Sequence, residues 1–338
     1  MMLNYLWYGL VGALFMGYAI LDGFDLGVGA WHLFVKKDEE RRVLLNSIGP
    51  VWDGNEVWLV TAGGALFAAF PEAYATVFSG FYLAFEAFLC TLIFRAVAIE
   101  ARSKQTMRWW RQLWDVSFSV SSISTAFLIG VVLGNLIYGI PLTAEHEVAA
   151  SFKGLLHPYA LLVGITTVAL FMMHGGIYVV LKTEGVLQQK FRGWAVKGVI
   201  FFIVCYGTTT MATLIYVPGM ATHMRHHPAL FLIALINMLA IANVPRELYR
   251  GRDGWAFISS CAAVAALLVL FGTGVFPNLV TSNPHPENSL TLLNAASTSK
   301  TLGIMTIVAI IGAPLVIAYS ITIHWIFRGK VKLNTHSY

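Results

Sequence analysis

The sequence predicts an all-α polytopic membrane protein, with nine transmembrane helices packed as bundles, the N-terminus outside and the C-terminus cytoplasmic. Three observations carry this. Of the 338 residues, 57% are hydrophobic and only 12% charged, against roughly 25% charged in a soluble globular domain, and the mean hydropathy is +0.70. Apolar runs long enough to cross about 30 Å of hydrocarbon recur along the whole chain. Lys and Arg concentrate in the short loops at alternate ends of those runs, with nineteen of the 22 on one side, and that side is cytoplasmic by the positive-inside rule. The net charge of +5 therefore sets orientation and does not point to nucleic acid.

Taken in order, the first span covers about residues 5–35 and is followed by a loop with Lys36, Lys37, Arg41 and Arg42. The second, 51–70, stops at Pro71; Asn46 and Ser47, just before Pro50, are read as its cap and start. The third covers about 74–99, and a basic loop with Arg102, Lys104, Arg108 and Arg111 follows it. The fourth covers 116–138, the fifth 158–181 and the sixth 195–217. The seventh covers 229–244 and the eighth 254–275. A polar stretch, 276–300, then precedes the ninth, 302–327.

No segment is long enough for a separate domain, so residues 1–338 are expected to form a single integral-membrane domain. Gly23 with Gly27, and Gly130 with Gly134, let helices approach closely. Cys90, Cys205 and Cys261 lie inside apolar runs at no metal-ligand spacing and are read as packing residues. The first run lacks preceding basic residues and is too long for a cleavable signal peptide. The glycine-rich run 23–29 lacks the strand-then-helix context of a dinucleotide fingerprint.

Charges inside the spans need a reason, because a carboxylate near the bilayer centre costs about 2.5–3.5 kcal/mol even on the gentler insertion scales. Asp25 lies about 16 Å along the helix from Lys36, near mid-membrane, with Asp22 one turn away on the same face. Such a pair lines a proton or ion path, or pins helix packing through buried hydrogen bonds. Asp53 and Glu56 sit in the first turns of the second span, where the helix dipole favours carboxylates. Glu86, alone and deep in the third span, is expected to face a partner or a cavity. Arg95, nearer the cytoplasmic edge, is read as a snorkelling anchor.

Among ten histidines, His174 is the one deep inside a span, while His32, His157 and His324 lie nearer span ends. Haem ligation on two facing helices would need a second histidine at similar depth, so no cofactor or metal site is expected in this chain. His223, His226 and His227, beside Arg225, read as a solvated outer loop.

Asp22-Gly-Phe-Asp25-Leu-Gly-Val-Gly29, Glu40-Arg-Arg42, the run from Asn46 to Trp58 and its continuation Thr61-Ala-Gly-Gly-Ala-Leu-Phe-Ala-Ala-Phe-Pro71 resemble subunit II of the cytochrome bd-type quinol oxidases. Ser79-Gly-Phe-Tyr82, Phe94-Arg95, Trp114-Asp115 and Ser289-Leu-Thr-Leu-Leu-Asn294 add to the resemblance, which is dense over the first 115 residues and collinear to the end. Asn294-Ala-Ala-Ser297 departs slightly from the family's serine-rich run.

The resemblance implies a subunit of a terminal quinol:oxygen oxidoreductase of the respiratory chain, inactive alone, in the bacterial cytoplasmic (inner) membrane. Its partner would be a haem-bearing subunit I, forming a heterodimer with or without a small single-helix subunit. Haems b and d would reside in subunit I, and quinol would be the substrate of the complex. This chain would support subunit I and contribute to the proton path, and to the oxygen path, for reduction of O2 to water, generating proton motive force. Position by position, Asp25 and Asp53 match carboxylates of a proton path at the subunit interface, with Asp22 inside the same motif. Trp58 matches an aromatic beside the oxygen route. Glu56 stands where some members carry Gln, which assigns it to helix-terminus electrostatics. A self-contained secondary transporter using Asp22 and Asp25 would instead show interrupted helices in an inverted repeat, and none is found. A purely structural subunit would deny Asp25 and Asp53 any proton role.

Overall fold

The structure is a computed structural model that describes residues 1–220 and 228–333. The apolar runs form helices, and punctuation residues end them. α1 (Met2–His32) is uninterrupted by proline for 31 residues, about 46 Å. α2 (Asp38–Ile48) follows, and then α3 (Trp52–Ala69) ends at Phe70, whose backbone is non-helical at ψ 65°. Pro71 is the cause, because its ring disfavours the α conformation in the residue before it. The same proline is pre-set to start α4 (Pro71–Gly80). The chain bends again at Phe81 before α5 (Tyr82–Ala101), so the run expected as one third span is two helices.

α6 (Arg108–Tyr138) ends at Gly139, which has a φ of +90° that glycine adopts without penalty. The short α7 (Phe152–Leu155) and then α8 (Pro158–Lys182), α9 (Gly185–Tyr216), α10 (Leu230–Tyr249), α11 (Asp253–Val275) and α12 (Ser299–Ile326) complete the helices. α10 runs five residues past the expected end at 244, through Pro245, forgoing the one backbone bond that proline cannot donate. Among the described residues, eight helices are long and apolar enough to cross a membrane: α1, α5 with its extension to Lys104, α6 and α8 to α12. α3, expected as the second of nine spans, has 18 residues and carries Asp53 and Glu56.

α2 lies in what reads as a basic loop. Its first turn is acidic (Asp38, Glu39 and Glu40), which suits the helix N-terminus, while Leu44, Leu45 and Ile48 are buried in the main core. Asn46 and Ser47 belong to its last turn and do not cap α3. Asn46 Nδ2 donates to Arg42 O at 2.7 Å and Ser47 Oγ donates to Leu44 O at 2.6 Å. Val51 is the residue at the α3 N-cap, and its side chain makes no capping bond.

α1 is the central element, packed against α3, α6 and α8 and touching α11 and α12. The expected close approaches occur. A methyl group on Gly27 would sit 2.8 Å from Gly175 Cα and collide with the Phe171 carbonyl; one on Gly130 would lie 2.7 Å from Gly164 Cα and one on Gly134 2.8 Å from Ala160 Cα. Without a hydrophobic drive between helices in lipid, such backbone contact is a main source of attraction. Gly27→Ala is expected to cost about 1–3 kcal/mol by overpacking, seen as a lowered thermal midpoint in detergent. Gly193→Ala, in an exposed helix interior with nothing within 4 Å of the new methyl, should not lower the midpoint and should raise it slightly, because Ala favours the helix over Gly.

At the end of the bundle away from the basic loops, the segments 139–157 and 276–298 form a cap. Strands β1 (Asn278–Val280) and β2 (Leu290–Thr291) pair antiparallel, and Leu142, Leu155, Val280, Leu290 and Leu292 pack with Trp7 and Phe70 in one core. Ser297 closes the C-terminal end of α3, its N–H donating to Ala69 O at 2.8 Å and its Oγ to Ala68 O at 2.7 Å. The departure from the family pattern at 294–297 therefore sits in a segment that caps a helix.

Candidate functional site

The half of the bundle next to the basic loops holds a buried cluster of charge. Asp22 and Asp25 project from one face of α1, and both are fully buried. Arg95 of α5, equally buried, points inward and grips Asp22 with both terminal nitrogens: Nη1 donates to Oδ2 at 3.1 Å and Nη2 to Oδ1 at 2.5 Å. This two-pronged geometry is the strongest form of guanidinium–carboxylate pairing. Arg95 Nη1 also donates to Glu56 Oε1 at 3.2 Å, and Nη2 lies 4.0 Å from Asp25 Oδ2. Asn55 of α3 completes the cage, donating through Nδ2 to Asp25 Oδ2 at 2.7 Å and to Leu21 O at 3.3 Å. Asp25 Oδ1 and Arg95 Nε have no hydrogen-bond partner among the described residues.

Two expectations are corrected here. Arg95 does not snorkel outward, because a bidentate acceptor is available inside at Asp22 and the helix places the side chain on that face. Glu56 does not merely complement the α3 terminus; it is a half-buried third carboxylate on the same guanidinium. Fully ionised, the cluster would hold three negative charges against one positive. In a low-dielectric surround such a surplus is balanced by protons or by a further cation.

The other expected site residues lie around this cluster. Asp53 is exposed in the first turn of α3, with no hydrogen bond or ion pair among the described residues. Trp58 is half-buried and its ring covers Gly17 of α1. Glu86 is exposed on the outer face of α5, one turn after Tyr82, among the exposed apolar side chains of Leu83, Leu89 and Ile93.

A second network, which sequence reasoning missed, closes the basic-loop end. Asp115 of α6 accepts from Arg41 Nη1 at 2.7 Å and from Arg102 Nε at 2.5 Å, and its Oδ1 lies 2.5 Å from His32 Nε2. Arg102 Nη2 reaches Asp38 at 2.7 Å, and Arg111 Nη1 donates to the same Asp38 at 2.9 Å. Four segments of chain are thereby tied together. The signal was present only as Trp114-Asp115 and Glu40-Arg-Arg42 within the family motifs.

The deep histidine is engaged within the chain. His174 Nε2 donates to Ile20 O at 2.9 Å, and Nδ1 lies 2.8 Å from Ser260 Oγ; neither nitrogen is free to ligate haem iron. His157, outside the span that it precedes, accepts from Ala160 N–H at 3.3 Å, and burial lowers its pKa. His324 Nδ1 lies 2.9 Å from Ser320 O. Among the described residues, no group of three or more His, Cys, Asp or Glu is placed to hold a metal ion. The expected outer cluster His223, Arg225, His226 and His227 lies outside the described residues.

Fold and site together define a multi-pass helical membrane protein that holds ionisable groups between its helices. A family model for cytochrome bd terminal oxidase subunit II matches residues 3–327. The chain belongs to that family, and it is a subunit of a terminal quinol oxidase. Cytochrome bd-I ubiquinol oxidase subunit 2 of Escherichia coli (strain K12) is 33% identical over 99% of this chain and 98% of its own length. Cytochrome bd ubiquinol oxidase subunit 2 of Bacillus subtilis is 37% identical over 98% of this chain and 97% of its own. The structure of bd oxidase from Geobacillus thermodenitrificans superposes with a TM-score of 0.82 at 17% identity, covering 97% of this chain and 99% of that one; at that identity it supports the fold. The resemblance carried by the N-terminal motifs is thus borne out.

Proposed function

We propose that this chain works as subunit II beside a haem-bearing subunit I, in the bacterial cytoplasmic (inner) membrane, and carries part of the proton route for oxygen reduction. The observation that carries the reading is the surplus of buried carboxylates, Asp22, Asp25 and Glu56, around the single guanidinium of Arg95. Protons do not cross hydrocarbon without ionisable groups or water to relay them. The groups stand in a usable order: Asp53 exposed at the basic-loop end, Glu56 half-buried three residues on, and Asp25 and Asp22 fully buried beyond it. Asn55 and Arg95 act as positioning groups, fixing the carboxylates without relaying protons themselves.

Quinol oxidation on the outer side releases protons there, and reduction of O2 draws them from the cytoplasm, so a route from the basic-loop side contributes to proton motive force. The haems b and d of the complex supply the electron transfer and oxygen chemistry. The engaged nitrogens of His174 argue for placing them in subunit I, and no step is routed through this chain's histidines. Nine spans, with α3 as the second, and a cytoplasmic C-terminus follow from the loop charges, and residues 1–338 then act as one membrane domain. Trp58 lines the oxygen route, and Glu86 meets a group of subunit I, because a carboxylate on an apolar outer face is costly against lipid. The complex forms with or without a small single-helix third subunit.

Purification of the native complex tests this reading. Quinol-driven oxygen consumption by a complex in which this chain co-purifies with a haem-bearing partner is the expected result. A chain that purifies alone, without haem absorbance, would contradict it.

A further inference from the structure

We propose that the turn joining α10 to α11 is a binding site for the phosphate of an anionic phospholipid, held by Arg246, Arg250 and Arg252. The turn is built with defined geometry. Gly251 takes a φ of +71°, a conformation favourable to glycine, and the backbone amides are used internally: Arg250 N–H donates to Arg246 O at 3.1 Å, Gly251 N–H to Leu248 O at 3.2 Å and Arg252 N–H to Glu247 O at 2.9 Å. What remains for a ligand is the side chains.

The three guanidiniums surround one buried carboxylate, that of Glu247, yet none comes within hydrogen-bonding range of it. The nearest approaches are 3.7 Å from Arg246, 3.6 Å from Arg250 and 4.0 Å from Arg252, and the three arginine side chains are 59%, 45% and 62% exposed. Arg246 Nη1 spends one donor on Asn243 Oδ1 at 3.1 Å. The other nearby acid, Asp253, is already engaged by Arg192 at 2.7 Å and Gln188 at 3.1 Å. Three positive charges thus face one negative charge, with most guanidinium N–H groups turned outward. Planar guanidiniums favour phosphate oxygens.

The position favours a lipid as the source of that phosphate. The turn joins the ends of two membrane-spanning helices, and the exposed side chains of Tyr249 and Trp255 flank it, as aromatics do at the headgroup level. Two other cations on the same side are engaged within the chain: Arg328 lies over the Trp325 ring, and Lys330 donates to Leu181 O at 2.8 Å. A basic turn between helix ends on this side suits an anionic headgroup, each Arg near the surface strengthening binding about fivefold.

The test uses the intact complex in nanodiscs of phosphatidylcholine mixed with phosphatidylglycerol, followed by detergent washing and mass spectrometry of the retained lipid. Phosphatidylglycerol is expected to be retained over phosphatidylcholine, with its relative affinity reduced on the order of a hundredfold in R246Q/R250Q/R252Q and unchanged in R328Q/K330Q. Added inorganic phosphate should not displace it. If the triple variant fails to assemble, R252Q alone should show a loss of about fivefold. Equal retention in the arginine variants, an equal loss in R328Q/K330Q, or displacement by inorganic phosphate would each overturn the proposal. Oxygen consumption is not the readout, so the outcome is independent of the proton-route reading.

Discussion

Arg95→Gln is expected to abolish stable assembly of the oxidase. The guanidinium is fully buried and is the cation against which Asp22, Asp25 and Glu56 are arranged. Removing one partner of a buried ion pair leaves uncompensated charge and costs about 3–5 kcal/mol, a large share of a typical folding stability. The yield of folded complex and its thermal midpoint report the loss. Arg95→Lys keeps the charge but forfeits the two-pronged grip on Asp22, so it should fall between the parent and Gln. Combining Arg95→Gln with Asp22→Asn should recover part of the loss, because it removes the carboxylate left most exposed to it. An Arg95→Gln complex with the parent's midpoint would show that the cluster is not held by this pair.

Asp115→Asn should be nearly as damaging, through a different contact set. Arg102 is buried and its alternative acceptor is Asp38, which is exposed; Arg41 and His32 also converge on Asp115. The variant leaves Arg102 without its buried counter-charge, again about 3–5 kcal/mol, and releases the segment carrying α2 from α6. Limited proteolysis within 33–51 should therefore accelerate along with the fall in midpoint. Glu72→Gln provides the contrast. Its pair with His146, at 2.5 Å, lies in the surface cap with both side chains partly exposed, and a surface pair of that kind contributes about 0–1 kcal/mol. Equal losses in the two variants would remove the distinction between buried and surface charge on which the argument rests.

How far the sequence could be read depended on whether the answer was local. Helix positions follow from apolar length, glycine and proline, so most boundaries fall within a few residues of expectation. The break at Phe81 has no proline or charge to announce it. The helix Asp38–Ile48 hid inside a basic loop because its apolar contribution is mainly Leu44, Leu45 and Ile48. Asp22 and Asp25 were legible as a buried pair, since a carboxylate deep in an apolar run always needs a partner. Which partner was not legible. Arg95 is 73 positions from Asp22 in the chain, and by depth alone an arginine near a span end looks like an anchor. Glu56 was misassigned for the same reason, because its i+3 relation to Asp53 is visible in sequence while its contact across to α5 is not. The Asp115 network likewise joins residues from 32 to 115, and only three-dimensional packing brings them to one point.

The central claim is that Asp25 carries protons and does not merely pin α1 to α3. The most direct test is the oxygen-consumption rate of the assembled complex bearing Asp25→Asn, measured with haem content on the same preparation. Asn preserves the shape and can still bond Asn55, so assembly and haem content should match the parent. The rate should fall by on the order of a hundredfold, the scale of losing a positioned proton-transfer group, with a smaller decrease for the exposed Asp53→Asn. An Asp25→Asn complex with normal haem content and the full rate of oxygen consumption would contradict the account.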